Sequence, residues 1–206
     1  MEIQNEKYPA IAVLGGAYNP PTIAYETIIQ LVLEKLPVER LLLMPYRRRA
    51  FGKFLAASAE HRHAMALLLA HNTSKQVEVS DLELKRPGKS YTIDTVNELK
   101  NLYPGHSIYW VIGTDILYEL ADWKDIDVLS TQVIFLAVIR PGYPVSRSLV
   151  DKYHVQLLAG AKQMPDVSAS LIRRRLAQGR NIEGLLPAEI GTYIRKHHLY
   201  SGTDSL

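Results

Sequence analysis

Along the chain, short apolar runs alternate with longer stretches in which apolar residues recur every three or four positions. "AIAVL" (10–14) leads into an amphipathic stretch from about Thr22 to Leu36. "RLLLM" (40–44) is followed by a basic loop, and the spacing then predicts a helix from about Ser58 to His71. Ser58 is a natural N-cap, and Glu60 in the first turn complements the positive helix end. "VEVSDLEL" (77–84) alternates as a strand does and breaks at Pro87-Gly88, with a helix expected from about Thr92 to Tyr103. "SIYWVIG" (107–113), a short helical stretch around Ile116 to Ala121 and "QVIFLAVI" (132–139) continue the alternation, the last ending at the turn "RPGY". "VQLLA" (155–159) is a weaker strand. Two helices close the pattern, about Ala169 to Gln178 stopped by Gly179, and Pro187 to His197.

Strands alternating with helices predict an α/β fold, an open and mostly parallel sheet with helices on both faces. No repeat, low-complexity tract or Gly/Ser linker interrupts the 206 residues, so a single domain over 1–206 is expected. In such sheets ligands bind beyond the carboxyl ends of the strands, at the switch point. That rule directs attention to Gly15-Gly16, Pro45 onward, Gly113-Asp115 and Arg140.

Composition changes this picture mainly by exclusion. There is no cysteine, so disulfides and thiolate metal sites are out. The longest apolar run, "VIFLAVI" (133–139), is far short of the roughly 20 residues that span a bilayer. The opening "MEIQNEKYPAIAVLGG" lacks the pattern of a signal peptide, so a cytoplasmic protein with no membrane partner is expected. A net charge of +3 is too small to argue a nucleic-acid partner. Aromatic residues are not interleaved with Arg47-Arg48-Arg49 or Arg173-Arg174-Arg175, whose charge suits either a solvated face or a small polyanion. The seven histidines assemble no metal site: His61 and His63 are two apart and face different ways on a helix. His197 and His198 lie near a helix C-terminus, where a cation is favoured anyway.

Candidate chemistry sits at the strand ends. Gly15-Gly16 lets backbone approach a ligand, and the helix start beyond it offers free N–H groups. It is neither G-x-G-x-x-G nor a Walker loop, and it reads equally as a tight turn. Asn19-Pro20 reads as an N-cap and first helical residue. Asp115, after Gly113-Thr114, can accept from ribose hydroxyls or cap a helix. Trp110 belongs to the core; Trp123, in polar surroundings, either stacks on a ring or packs a short helix down. In "VSASLIRRRL" (167–176), Ser168 or Ser170 stands near a helix start with arginines in the second turn. Such a convergence suits a triphosphate, or a capped helix with a basic solvent face. Helical spacing cannot turn all three arginines to one point, and Arg173 is the one expected there.

At this point the chain resembles the bacterial nicotinate-mononucleotide adenylyltransferases, from about Ile11 to Tyr200. "GGAYNPPTIAY" (15–25) follows the frame of the family's G-G-x-F-x-P-x-H-x-G-H without a gap, and "VSASLIR" (167–173) follows I-S-S-T-x-I-R. "SYTIDTVNELKNLYP", "IGTDILYELADWKDIDVL", "RPGY" and "LPAEIGTYIRKHHLY" resemble family segments in matching order. The resemblance implies a Rossmann-like nucleotidyltransferase fold and the joining of ATP to nicotinate mononucleotide with Mg²⁺, giving nicotinate adenine dinucleotide and pyrophosphate in NAD biosynthesis. It implies ATP binding by Gly15, Gly16, Ala17, Tyr18, Gly113, Asp115, Ser168, Ser170 and Arg173. It implies mononucleotide binding by Lys53, Thr92, Trp123 and Arg140. Both partners are small nucleotides.

The departures fall at the reacting centre. Thr22 and Tyr25 stand where the family has the two histidines of H-x-G-H, Ala24 replaces the glycine, and Asn19 stands where an aspartate is often found. P-P-H-K has become "AFGK" (50–53), keeping only Lys53 of its charge. In the family the two histidines bind phosphates, the second stabilising charge on the transferring group. Threonine and tyrosine donate hydrogen bonds but carry no positive charge near neutral pH. Thr22, Tyr25, Lys53 and Arg173 are therefore the expected catalytic set, and slow turnover is expected. The alternatives are a nucleotide-binding regulatory paralogue without turnover, or transfer to a different mononucleotide.

Overall fold

The computed structural model describes residues 9–47, 55–158, 160 and 164–201. Six strands, all parallel, form one sheet in the order β3-β2-β1-β4-β5-β6. They are β1 (Ala10–Gly16), β2 (Arg40–Pro45), β3 (Val77–Val79), β4 (Ser107–Gly113), β5 (Ile134–Val138) and β6 (Gln156–Leu158). Register places Val13 beside Leu42 on one side and Trp110 on the other.

Both faces are covered, which is why the central strands read as continuous apolar runs. On one face Ala12, Leu14, Leu41, Leu43, Tyr109 and Val111 pack with residues of α1 (Ile23–Lys35), α2 (Ala59–His71), α7 (Ala169–Ala177) and α8 (Ala188–Lys196). On the other, Ile11, Val13, Leu42, Met44, Ile108 and Trp110 meet α4 (Thr92–Leu102), a 3₁₀ stretch (Ile116–Asp122), α5 (Ile126–Gln132) and α6 (Arg147–Lys152). The strand order reverses between β1 and β4, so their carboxyl ends diverge there and leave a crevice.

Two parts of the pattern come out differently. The alternation of 77–84 holds as strand only over Val77–Val79; Leu82–Lys85 is a single helical turn, α3. Ser80 Oγ accepts from the Leu82 N–H at 3.4 Å and Asp81 O from the Lys85 N–H at 3.0 Å, local bonds that win over a strand ladder. Helices α5 and α6, both short, were not apparent in the periodicity: α5 starts from Asp125 in a left-handed conformation rather than from a recognisable cap.

Candidate active site

At the divergence of β1 and β4 lies a cavity of about 390 Å³, lined by the glycine turn, the end of β4, the start of α4 and the start of α7. The turn is built around Gly16 and around Tyr18, whose φ of 52° is left-handed. A Cβ on Gly16 would meet the Tyr25 hydroxyl, so any side chain there would have to displace that tyrosine. Tyr18 is buried, donates its hydroxyl to the Leu14 carbonyl at 2.7 Å, and packs its ring 4.8 Å from that of Tyr25.

Tyr25 points into the cavity, and its hydroxyl stands on the glycine turn, bonded by the Tyr18 backbone. Burial, with the neighbouring Tyr46, holds its pKa well above the usual phenol value. Its proton therefore stays on across all neutral conditions, and an oxygen already accepting from an N–H has that proton to donate outward. Thr22 is buried at the start of α1, where its side chain makes no capping bond, and it lines the same cavity.

Asn19-Pro20 does not begin a helix, since α1 starts only at Ile23. Asn19 is instead a buried hub, its Oδ1 accepting from the Ala57 N–H (3.1 Å) and the Tyr200 hydroxyl (2.9 Å). Tertiary bonds have taken the side chain that local propensity would assign to a cap.

At the end of β4 the Asp115 carboxylate and the Arg140 side chain lie against Gly113, so a Cβ there would have to displace them. Asp115 Oδ2 accepts from Arg140 Nη1 at 2.8 Å, while Oδ1 is buried with no hydrogen-bond partner among the described residues. The carboxylate caps no helix. A buried acceptor without a donor fits a ligand hydroxyl, because leaving it dry costs free energy.

The far end of the cavity is lined by Ser90, Tyr91, Thr92, Trp123 and Lys124. Trp123 sets its edge against Phe135 at 6.1 Å and remains partly exposed to the cavity. Packing and ring stacking are thus compatible roles for one indole. At the opposite end Ser168 caps α7, accepting from the Leu171 N–H at 3.2 Å. Arg173 turns inward, donating to the Asn19 carbonyl (2.9 Å) and to Ser170 Oγ (3.1 Å), whereas Arg174 is exposed and Arg175 donates to the Asn181 carbonyl. Lys53, Arg48 and Arg49 lie outside the described residues.

Sequence reasoning missed Arg62 and Glu83. Arg62 is 1% exposed and donates to four backbone carbonyls around the glycine turn. Its signal was present: it shares the helical face of Met65, Ala66 and Leu69, all buried. Glu83, on the cavity wall, accepts from Thr95 Oγ1 at 2.6 Å, and burial raises its carboxyl pKa. Nothing in its local sequence marks it as buried. Among the described residues no group of three or more His, Asp or Glu could hold a metal ion, and no helix is long and apolar enough to cross a membrane.

Comparison with known proteins places this geometry. Residues 13–175 match the cytidylyltransferase-like family. A protein of Oceanobacillus iheyensis named "probable nicotinate-nucleotide adenylyltransferase" is 35% identical over 192 residues, 92% of this chain and 96% of that one. One of the same name from Thermus thermophilus is 34% identical over 92% of this chain and 98% of its own length. In fold, the chain is similar to Plasmodium falciparum nicotinic acid mononucleotide adenylyltransferase complexed with NaAD, with a TM-score of 0.83 at 24% identity over 94% of this chain and 98% of that one. A second structure of that protein, complexed with APC, gives 0.80 at 22% identity. A Rossmann-like sheet ending in a nucleotide-sized crevice and this run of relatives agree: the chain belongs to the nicotinate-nucleotide adenylyltransferase family of nucleotidyltransferases.

Proposed function

We propose that this single-domain protein transfers the adenylyl group of ATP to nicotinate mononucleotide, in the cytoplasm. The observation that carries the reading is one continuous cavity joining the glycine turn, the unpartnered Asp115 oxygen, the capped start of α7 and the Thr92–Trp123 end. ATP would lie with its ribose on Asp115 and its phosphates between Gly16–Tyr18 and Ser168, Ser170 and Arg173. The mononucleotide would place its ring at Thr92 and Trp123, with Arg140 between the two substrates and Lys53 on its phosphate.

The acceptor's phosphate is already ionised, so no general base is needed. One of its oxygens attacks the α-phosphorus; that P–O bond forms as the bond to the β-phosphate oxygen breaks, and pyrophosphate carries away the electron pair. The protein's work is alignment and charge stabilisation. With no imidazole at positions 22 and 25, Thr22 and Tyr25 supply neutral donors, and the positive charge falls to Arg173, Lys53 and the neighbouring arginines. The described residues hold no ready-made carboxylate cluster, so Mg²⁺ would ride on the nucleotide's own phosphates and neutralise their charge.

Pyrophosphate release with ATP and Mg²⁺, with and without nicotinate mononucleotide, tests the reading; release dependent on the mononucleotide is expected. The competing reading, a nucleotide-binding protein without turnover, is favoured by one observation, the Tyr25 hydroxyl standing on the turn where a phosphate would sit. Nucleotide binding without release would select it, and release only with another mononucleotide would change the acceptor.

A further inference from the structure

Arg62 is the largest fully buried side chain among the described residues, and it is charged. Among the described residues its guanidinium meets no carboxylate. Nε donates to the Ala57 carbonyl (3.3 Å), Nη1 to those of Ala17 (3.0 Å) and Tyr46 (2.6 Å), and Nη2 to that of Arg47 (3.3 Å). The exposed Glu60 of the same helix acts on it only through space, and burial lowers its pKa below the usual guanidinium value without discharging it. Burying such a charge is costly even when its hydrogen bonds are made, and an apolar side chain of similar volume often packs as well or better. Packing alone is therefore a poor explanation.

The four carbonyls say what the charge is near. Ala17 belongs to the glycine turn; Tyr46 and Arg47 precede the basic segment that carries Lys53, and Ala57 follows it. A trans peptide points its C=O and N–H in opposite directions. Holding the Ala17 carbonyl from behind thus turns the Tyr18 N–H the other way, to the cavity side, where it meets the Tyr25 hydroxyl.

We propose that Arg62 is the positioning residue of the phosphate seat: it aims the glycine-turn N–H into the cavity, ties the backbone at Tyr46, Arg47 and Ala57 to that turn, and keeps a buried positive charge behind the site. This rests on the reading that the cavity takes ATP. In a chain lacking both signature histidines, it supplies charge from a place where solvent screens little.

The test is calorimetric titration of ATP and of adenosine into the wild-type protein, Arg62→Lys and Arg62→Met, with thermal unfolding to establish that each variant is folded. Arg62→Met weakens ATP by about 10- to 100-fold, the scale of hydrogen bonds involving a charged group. Adenosine, which lacks the phosphates, changes by less than about twofold, as expected for groups that do not touch. Arg62→Lys keeps the charge but not the fork, so it falls between wild type and Arg62→Met for ATP and leaves adenosine unchanged. Should Arg62→Met not fold, the lysine variant alone decides the same ratio. Equal losses for ATP and adenosine, or unchanged ATP affinity in a folded variant, overturn the proposal and leave the functional reading standing. A wild-type protein that binds no ATP overturns both.

Discussion

Removing the Tyr25 hydroxyl is the sharpest small perturbation of the proposed reacting centre. Tyr25→Phe deletes the one atom that stands on the glycine turn and leaves the ring packed against Tyr18. Since burial keeps that hydroxyl protonated, what is lost is a single neutral donor. Such a bond contributes about 0.5–1.5 kcal/mol net, which in a rate is roughly 2- to 13-fold. The prediction is a fall in kcat of that size, with KM for ATP moving much less, measured by pyrophosphate release on a purified, folded variant. The loss should also be the same from about pH 6 to pH 9, because a phenol with a raised pKa does not titrate there. An unchanged or faster rate would mean that Tyr25 obstructs the phosphates rather than donating to them. A loss of about a hundredfold would mean that it carries far more than a neutral hydrogen bond.

Three further outcomes follow from the same geometry. Thr22→His with Tyr25→His returns chargeable donors to the turn and should raise kcat about tenfold or more; no gain in a folded double variant argues that the missing histidines do not limit the rate. Asp115→Asn replaces the carboxylate that pairs with Arg140 and removes a charged acceptor from the position proposed for the ribose. It should raise KM for ATP roughly tenfold or more while leaving KM for the mononucleotide nearly unchanged, and equal rises in both would move Asp115 away from the ribose. For Glu83, burial raises the carboxyl pKa, so the folded chain binds that proton more tightly than the unfolded chain. Its contribution to stability is then full below the ordinary carboxylate pKa and is lost as pH rises through the folded value. Glu83→Gln keeps an acceptor for Thr95 without the charge, so its melting temperature relative to wild type should climb as pH rises above the ordinary carboxylate range, about pH 4. A difference that stays constant as pH rises refutes the assignment.

The fold was legible because the central strands are buried on both faces and read as uninterrupted apolar runs. Their alternation with helices then leaves few topologies. What escaped was short and locally determined: Ser80 and Asp81 turn an alternating tetrapeptide into α3, and Asp125 starts α5 without a capping signature. At the site, the strand-end rule reached Gly15-Gly16, Gly113-Asp115 and Arg140 from pattern alone; helical spacing showed only that three arginines cannot all face one point, and Arg173, the one expected there, turns inward. The resemblance was needed for the rest: nothing in spacing connects Thr22 with a nucleotide, and the surroundings of Trp123 left stacking and packing open. Asn19 misled because its nearest backbone suggests a cap, whereas its actual donors, Ala57 and Tyr200, are 38 and 181 residues away. Arg62 was readable on the buried face of α2, but a charged residue on an apolar face reads as a surface residue until the carbonyls around it are seen.

Single-turnover mixing of excess protein with limiting ATP, Mg²⁺ and nicotinate mononucleotide is the most direct test of the central claim. It detects transfer even when product leaves slowly. One nicotinate adenine dinucleotide and one pyrophosphate are expected for each ATP consumed, both abolished by leaving out the mononucleotide. ATP and mononucleotide bound together for hours without forming the dinucleotide would contradict that claim, and would make this chain a nucleotide-binding protein built on a transferase fold.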